Sequence, residues 1–597
     1  MKLLFDIETD ALDPTVCHSL VIIDVDTGVM TSYADQDLYH PISEGLEVLG
    51  KADLLVGHNI LDYDLVCLEK LYDFKYKGKL HDTLIMSRLL WPDIRENDFR
   101  FIRKPKGKNF PKSLIGSHSL KSWGHRLGNY KGDFEYSVER FANWSQPMQD
   151  YCEQDCKLNL DLYKLILSKE PTEDSIELEH DFARCIKLQE QQGFNFDVIA
   201  AENLLAKLQA RSAELEAELQ IAFPPFERRE PFIPKVNNKT RGYVKGKLTY
   251  KSKMVVFNPG SRDQIADRLQ AIHGWKPTEF TNGSGKPKID ETVLSKLPYK
   301  EAKLVSEYLL IGKRIGMLAT GANAWLKLVN NGKIHGRMNT IGCVSHRCSH
   351  SKPNMGQIPR VGSPYGEECR SLFHAPEGYD LVGADLAGLE LRCLAHMMAR
   401  YDGGAYANEV INGDVHTLNQ KAAGLPSRDA SKSFIYGFLY GMGPEKCGSM
   451  IGGSAQDGRK MINKFLKRTP ALKELRKAVD EKVKRVGTLN GLDGRKLPIR
   501  HSHTGLNTLL QSAGAILAKR ATVILHNLLE SEGYVHGEDW AQVAHVHDEV
   551  QLIAKKKVSA YVGKQAVKAF QLSGEYYNFR CQITGDYKTG NNWKDTH

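Results

Sequence analysis

Two sets of acidic residues, far apart in a chain of 597 residues, could carry chemistry by type and spacing. Asp6-Ile7-Glu8 ends an apolar run, Leu3 to Ile7, that reads as a strand; alternation places both carboxylates on one face and Phe5 and Ile7 on the other. Like charges so close repel, and a hard divalent cation is the usual remedy, although the pair alone fits two surface acids better. Two further segments join it. His58-Asn59-Ile60-Leu61-Asp62-Tyr63-Asp64 follows a short buried strand at 54–57, and Tyr151-Cys152-Glu153-Gln154-Asp155 lies in a helical stretch where the i, i+4 spacing puts Tyr151 and Asp155 on one face. The second set is Asp385, delivered by the strand pattern Leu381-Val382-Gly383-Ala384, and Asp548-Glu549, the acidic centre of an apolar hairpin pattern from Ala544 to Leu552. Adjacent acids inside apolar strands seldom serve packing.

Between the members of the second set, Arg428, Lys432, Tyr436 and Tyr440 recur at every fourth residue. Each step drifts only ~40° around a helix, so the four make a stripe. Its basic end lies at the helix N-terminus, where the dipole also favours anions, and its aromatic end lies about 12 Å further along at ~1.5 Å per residue. A nucleoside triphosphate fits that layout, with phosphates on Arg428 and Lys432 and sugar and base near Tyr436. An amphipathic helix with a solvated basic edge has the same pattern, and the stripe alone favours that simpler reading.

The elements that must position these groups are legible in outline. Leu3–Ile7, Leu20–Val25 and 54–57 read as strands, and Asp82 caps a helix running to Leu90, so residues 1 to about 168 form an α/β domain. Ile176 to Phe223 reads as helical, and 223–254 as a loop or small insertion at a domain tip, with nine basic residues against Glu227 and Glu230, a net +7. A mixed α/β region fills 334–597. Length implies roughly three to five domains. The chain is 41% hydrophobic and 26% charged with net charge +9, a mild basic excess that suits a nucleic-acid partner without requiring one. Eleven cysteines without a Cys-x-x-Cys pair fit a reducing compartment. No apolar segment has the form of a secretion signal or a membrane span, so the expected location is cytoplasmic, without membrane partners.

In order, the three N-terminal segments match Asp-x-Glu, His-Asn-x4-Asp and Tyr-x3-Asp, and so resemble the Asp-Glu-Asp-Asp exonucleases in the variant with tyrosine in the last motif. The resemblance implies that Asp6, Glu8, Asp64 and Asp155 hold two divalent metals and that Tyr151 orients the attacking water. The C-terminal segments resemble the family A, Klenow-type DNA polymerases, and in Gly388–His396 and Phe434–Gly441 the replicative enzymes of short-tailed T-odd phages. That resemblance implies a ribonuclease-H-like exonuclease domain over 1–168 and a right-hand polymerase: thumb 176–333, palm 334–397 and 507–597, and fingers 398–506. It implies Asp385, Asp548 and the Leu386 carbonyl as metal ligands, Glu549 beside them as a catalytic carboxylate, and two Mg²⁺ per site, with Mn²⁺ as a substitute. His416, Arg428 and Lys432 would bind phosphates. Tyr436 and Glu390 would form the floor under the sugar, Tyr440 would stack near the template base, and Arg347, Asn507, Gln511 and His547 would probe the minor groove of the primer-template. Tyr436 implies tolerance of dideoxynucleotides. Primer-template DNA and dNTPs are the implied partners, with a processivity factor such as host thioredoxin and a phage helicase-primase in the host bacterial cytoplasm.

Two features depart from the family pattern. Ser345-His346 stand before Arg347 where many relatives carry Thr-Gly or Gly, and the 223–254 insertion is shorter than its thioredoxin-recruiting counterpart. Cys343, His346, Cys348 and His350 fit none of the usual structural zinc spacings. A nuclease alone leaves most of the chain without a task, a DNA-binding protein with decayed sites would lack carboxylates that are present, and Glu390 disfavours a reverse transcriptase or an RNA polymerase.

Overall fold

Leu3, Phe5 and Ile7 bury on one side of the strand Lys2–Thr9 and Leu4 on the other, each in its own apolar cluster. That alternation fixes the face on which Asp6 and Glu8 stand. In a computed structural model, which describes residues 1–129 and 141–597, this strand is the centre of a five-stranded sheet. The strand order is Met30–Tyr33, Cys17–Asp24, Lys2–Thr9, Leu54–Gly57, Lys79–Asp82, the first three antiparallel and the last two parallel to the centre. Helix Gln146–Leu167 packs on the face that carries Asp6, with Cys152, Cys156 and Leu160 buried against Leu4 and Val56. Asp82 caps helix Thr83–Leu90 as its sequence suggests, accepting from the N–H groups of Leu84 and Ile85.

The chain divides into two compact units: residues 1–194, 336–357 and 375–597, and residues 195–335 and 358–374. In the first unit a second sheet has the order Trp540–Val546, Glu549–Lys555, Tyr379–Leu386, Gly585–Gly590, all antiparallel. Its core continues into helices Leu389–Asp402 and Arg428–Leu439 and the 27-residue helix Gly505–Ser531, most of whose residues are buried. The second unit contains helices Val198–Ala222 and Lys300–Ile315 and a core around Phe223, Phe257, Leu269 and Leu294. Among the described residues, no helix is long and apolar enough to cross a membrane.

Three local expectations change. Ile176 to Phe223 is not one helix: helix Glu173–Gln192 stops at Gly193, whose φ of 66° no side-chain-bearing residue adopts cheaply, and strand Phe194–Phe196 follows. The unit boundary therefore falls after Phe194, and helix Glu173–Gln192 belongs to the first unit, where Leu178, Phe182 and Ile186 pack on Ile516 and Val523. The 223–254 segment is not a loop but an antiparallel hairpin, Phe226–Phe232 with Thr249–Val255, exposed along both strands. Lys251 lies 4.5 Å from the Phe232 ring centroid, a cation–π contact within the ribbon. Helix Arg428–Leu439 ends one residue short, with Tyr440 as its C-cap.

A buried charge cluster joins three elements of the first unit. Glu179 accepts from Lys519 Nζ at 2.8 Å and from Arg495 Nη1 at 2.5 Å, and Arg495 also pairs with Asp493 at 2.5 Å; each side chain is at most 1% exposed. Burial alone would raise the Glu179 pKa, but the two cations outweigh it and hold it below the ordinary carboxylate value. Removing one partner strands the others in low dielectric. Glu179→Gln is therefore expected to cost about 3–5 kcal/mol in equilibrium urea unfolding; a loss below ~1 kcal/mol would mean that the cluster does not hold these elements together.

Candidate active sites

Asp385 ends strand Tyr379–Leu386 and lies opposite Glu549 on one neighbouring strand and Asp586 on the other. Asp548 sits in the hairpin turn before Glu549–Lys555, and its carbonyl accepts from the Leu386 N–H at 3.0 Å, which ties the two acidic segments together. The Leu386 side chain is buried beneath them. Asp385 keeps solvent access, yet the sheet desolvates its carboxyl enough, with Asp548 and Glu549 adding like charge, to push its pKa to about 7. Burial first, then Glu390, raises Asp548 to about 6. Glu549 is held by other means: Oε1 accepts from Gln551 Nε2 and Trp593 Nε1, both at 2.6 Å, and Oε2 lies 3.2 Å from His597 Nδ1.

Helix Arg428–Leu439 presents its stripe as its spacing requires. Phe434, Ile435, Phe438 and Leu439 bury one face, while Arg428, Lys432 and Tyr440 are exposed and Tyr436 is half-buried on the other. His416 joins them from the preceding helix, Val415–Ala423, with its ring 6.3 Å from that of Tyr436. Its Nδ1 is buried without a partner, and burial, then Arg428 and Lys432, lower its pKa. Arg428 donates Nε to Asp414 Oδ2 at 2.9 Å, and Asp414 also caps the His416 helix. Burial, then Glu390 and Tyr440, push the Tyr436 phenol to about 12.

Glu390 opens helix Leu389–Asp402 and accepts from Tyr440 Oη at 3.0 Å, with Arg347 Nη2 at 3.6 Å. On helix Gly505–Ser531, Gln511 Nε2 donates to Asn507 Oδ1 at 2.9 Å, and Ser345 Oγ donates to Gln511 Oε1 at 3.3 Å. His547 occupies the hairpin turn with φ 60°. The sequence-derived residues of the second set thus converge on one end of one sheet. Two of the Cys343–His350 side chains turn to separate partners: Cys348 Sγ donates to the Thr340 carbonyl at 3.5 Å, and His346 Nε2 to the Leu89 carbonyl at 2.9 Å.

The first set converges as well. Asp6 and Glu8 face helix Gln146–Leu167, which supplies Tyr151 and Asp155, and Asp64 opens helix Asp64–Tyr72. Burial, then Asp64, Glu8 and Asp155 among the charges, hold Asp6 well above its usual value. Glu8 is pushed to about 8 by burial, Asp155 and Asp64; Asp64 rises to about 7 and Asp155 to about 6, each mainly by burial. Tyr151 is raised by burial, then by Asp155 and Glu8. Asp64 Oδ1 is buried without a hydrogen-bond partner. An orphaned carboxylate oxygen among repelling carboxylates is the donor set a hard divalent cation takes. Asp6, Glu8 and Cys152 offer ligand atoms within 4.8 Å of one another.

The sequence reading missed several supports. Cys152, Gln551, Trp593, Asp586 and Asp414 touch or face the predicted residues, and the sequence assigned none of them a role. Only Asp414 had a signal, as a capping residue before a helix that carries His416.

Paired carboxylates at a sheet end, with Tyr436 of the Arg428–Leu439 helix within electrostatic reach of Asp548 and Glu390, suit nucleotidyl transfer. Residues 238–595 match the model of DNA polymerase family A. The chain is 36% identical to the DNA-directed DNA polymerases of Enterobacteria phage T3, over 100% of both chains, and Escherichia phage T7, over 99% of both. It is 28% identical to the thermostable DNA polymerase I of Thermus aquaticus over 53% of this chain and 39% of that one. The fold superposes with a TM-score of 0.73, at 16% identity, on the polymerase domain of Pol1 from M. smegmatis, solved with DNA primer-template and dNTP, covering 100% of this chain and 96% of that one. This chain belongs to the family A DNA polymerases, close to those of phages T3 and T7.

The raised carboxyl pKa values set a pH dependence. A folded-state pKa above the unfolded one means that the folded chain holds the proton more tightly. The stabilisation is complete below about pH 4 and is lost as pH rises through about 6 to 8. With divalent cations chelated, the thermal midpoint is expected to fall as pH rises through about 6 to 8, and added Mg²⁺ to restore it by neutralising the carboxylates. A midpoint that stays level or rises across that range contradicts the assignment.

Proposed function

We propose that the chain is a template-directed DNA polymerase that extends a primer 3′-hydroxyl from dNTPs and carries its own 3′→5′ proofreading exonuclease. The observation that carries this reading is the pair of separate carboxylate sets with raised pKa values, only one of which faces a cationic, aromatic helix. Residues 1–168 act as the exonuclease, and the sheet order with its central Lys2–Thr9 strand supports a ribonuclease-H-like fold there. The thumb covers 176–333 apart from the helix ending at Gln192, the palm 334–397 and 507–597, and the fingers 398–506.

Asp385, Asp548 and the Leu386 carbonyl would hold one pair of Mg²⁺ ions and Asp6, Glu8, Asp64 and Asp155 another, with Mn²⁺ as a substitute. Such ions lower the pKa of an attacking hydroxyl or water and stabilise the departing oxygen. The chain's own residues do the rest. Arg428 exchanges Asp414 for a triphosphate oxygen, with Lys432 and His416 beside it, so the pyrophosphate leaves against positive charge. Glu390 and Tyr436 close the floor under the sugar and exclude a 2′-hydroxyl, and Tyr440 moves from Glu390 to stack by the template base. Arg347, Asn507, Gln511 and His547 donate to the minor-groove edge of a correct pair, where acceptors recur. Glu549, clamped by Gln551 and Trp593, holds negative charge beside Asp385. In the nuclease, Tyr151 orients the attacking water.

The hairpin at 223–254 would grip duplex phosphates through its basic residues. Ile233, Val236, Val244 and Leu248, all more than half exposed, are where a processivity partner such as thioredoxin would seat. A phage helicase-primase would share the same bacterial cytoplasm.

Primer extension with Mg²⁺ and dNTPs tests the two sites. Asp548→Ala is expected to lose extension by at least ~10³-fold while still trimming primers, and Asp6→Ala/Glu8→Ala to extend while trimming falls by a similar factor. Wild-type protein that trims but never extends, with or without thioredoxin, would leave only the nuclease. A second assay addresses the sugar floor: Tyr436 predicts incorporation of dideoxynucleotides within about tenfold of dNTPs, with Tyr436→Phe discriminating more strongly. Exclusion of dideoxynucleotides by the wild type would remove Tyr436 from that role.

A further inference from the structure

Ser345, His346 and Arg347 are consecutive, and their side chains reach three different places. Ser345 bonds Gln511 on the helix that carries Asn507, and Arg347 lies against Glu390. His346 turns the other way, to helix Thr83–Leu90, where its Nε2–H donates to the Leu89 carbonyl at 2.9 Å. That carbonyl lies in the last turn of its helix, where no intrahelical N–H follows to take it. The same helix is capped by Asp82, which also accepts from the Asn59 and Leu61 N–H groups in the segment that ends at Asp64.

His346 stands at φ 59°, a left-handed conformation that glycine adopts freely and a histidine only at a cost. Its ring is fully buried, and burial together with Arg495 holds its pKa far below the usual value, so the ring is neutral. A neutral ring donating from Nε2 leaves Nδ1 as a bare acceptor, and Nδ1 has no hydrogen-bond partner. Both the backbone and the ring nitrogen are unfavourable here, and the bond to Leu89 is the compensation the structure provides. The turn closes around it, with the His346 N–H donating to the Cys343 carbonyl at 2.8 Å and the Gly342 N–H to the Arg347 carbonyl at 2.9 Å. Rotation of His346 would swing the next residue, so the ring's anchor fixes the direction in which Arg347 leaves the turn.

We propose that His346 is a positioning residue: it anchors the turn to the exonuclease helix through Leu89 and so holds Arg347 at the primer-template contact by which a mispaired terminus is refused. This rests on the polymerase and exonuclease reading above. Glycine would satisfy the backbone and lose the anchor. Glutamine would keep a donor at similar reach.

The test compares wild type, His346→Gly and His346→Gln for extension from matched and mispaired primers, kcat and KM for the correct dNTP, trimming of single-stranded DNA, and thermal midpoint. His346→Gly is expected to keep its trimming rate, while extension from a matched terminus, which makes the Arg347 contact, falls and extension from a mispaired one, which does not, stays level. Its preference for matched over mispaired termini should fall about tenfold, the scale of losing one charged hydrogen bond. His346→Gln is expected to recover at least half of that loss on a logarithmic scale. If His346→Gly discriminates as the wild type does, or if His346→Gln falls as far as glycine does, the anchor is not what holds Arg347. Should the glycine variant not fold, the glutamine variant decides alone: discrimination within about threefold of wild type supports the anchor, and a larger loss overturns it. Wild-type protein that extends and trims while the variants match it sinks this inference alone. Wild-type protein that does neither sinks the reading beneath it.

Discussion

Asp385, Asp548 and Glu549 crowd one end of a four-stranded sheet, and their mutual repulsion is the constraint around which that end of the larger unit is arranged. The register leaves no freedom: slipping any strand by one residue would send its acid to the opposite face. What resists the repulsion comes from elsewhere in the chain. Gly383 lets the C-terminal segment approach, since a Cβ there would lie 2.6 Å from Gln551 Nε2 and 2.7 Å from the Thr596 carbonyl. That approach brings Trp593 to Glu549, and Thr596 to Gln551 at 2.9 Å. The last residues of the chain thus hold a carboxylate whose motif lies almost fifty positions earlier.

The N-terminal carboxylate set meets the same repulsion differently. Its carboxylates come from a central strand, a helix start and a second helix, and they are more deeply enclosed. Hydrogen-bond donors clamp Glu549, whereas Asp64 retains a bare buried oxygen. Raised pKa values favour protonated carboxyls in both sets, so that a cation bound there near neutral pH would exchange protons for positive charge. The difference in enclosure is what the proposed pair of activities would require: a single frayed strand end calls for a narrow site, and a duplex with an incoming triphosphate for an open one.

How much of this was legible follows from the range of each interaction. The strand carrying Asp6, the Asp82 cap and the Arg428 stripe depend on neighbours within one or two turns, and sequence periodicity reports them directly. Gly193 is equally local, but a single glycine in a helical pattern signals a break only weakly, and so Ile176 to Phe223 read as continuous. The hairpin at 226–255 was hidden because neither strand has a buried face, and without alternation there is no strand signal. The supports of the site were illegible for another reason. Trp593 meeting Glu549, Glu179 meeting Lys519 and His346 meeting Leu89 are contacts between positions 44, 340 and 257 apart. The Ser345-His346 substitution flagged its position as unusual, but only the fold shows where the ring goes.

The cationic residues that would meet nucleic acid are not idle in the free protein. Arg428 rests on Asp414, and Arg347 and Tyr440 on Glu390. Such pairs look inhibitory, yet their energetics are weak. Arg428 is 54% exposed and Asp414 44%, which places the pair among solvent-screened bridges worth roughly 0–1 kcal/mol. Under the proposed reading, a triphosphate would offer several charges at once beside Lys432 and His416 and would outcompete one screened carboxylate. A stray anion of single charge gains much less by the exchange. The pairing therefore costs little when the right ligand arrives and keeps the guanidinium oriented until then. It also leaves Asp414 in place as the cap of the His416 helix, so the exchange frees one side chain without loosening the element beside it.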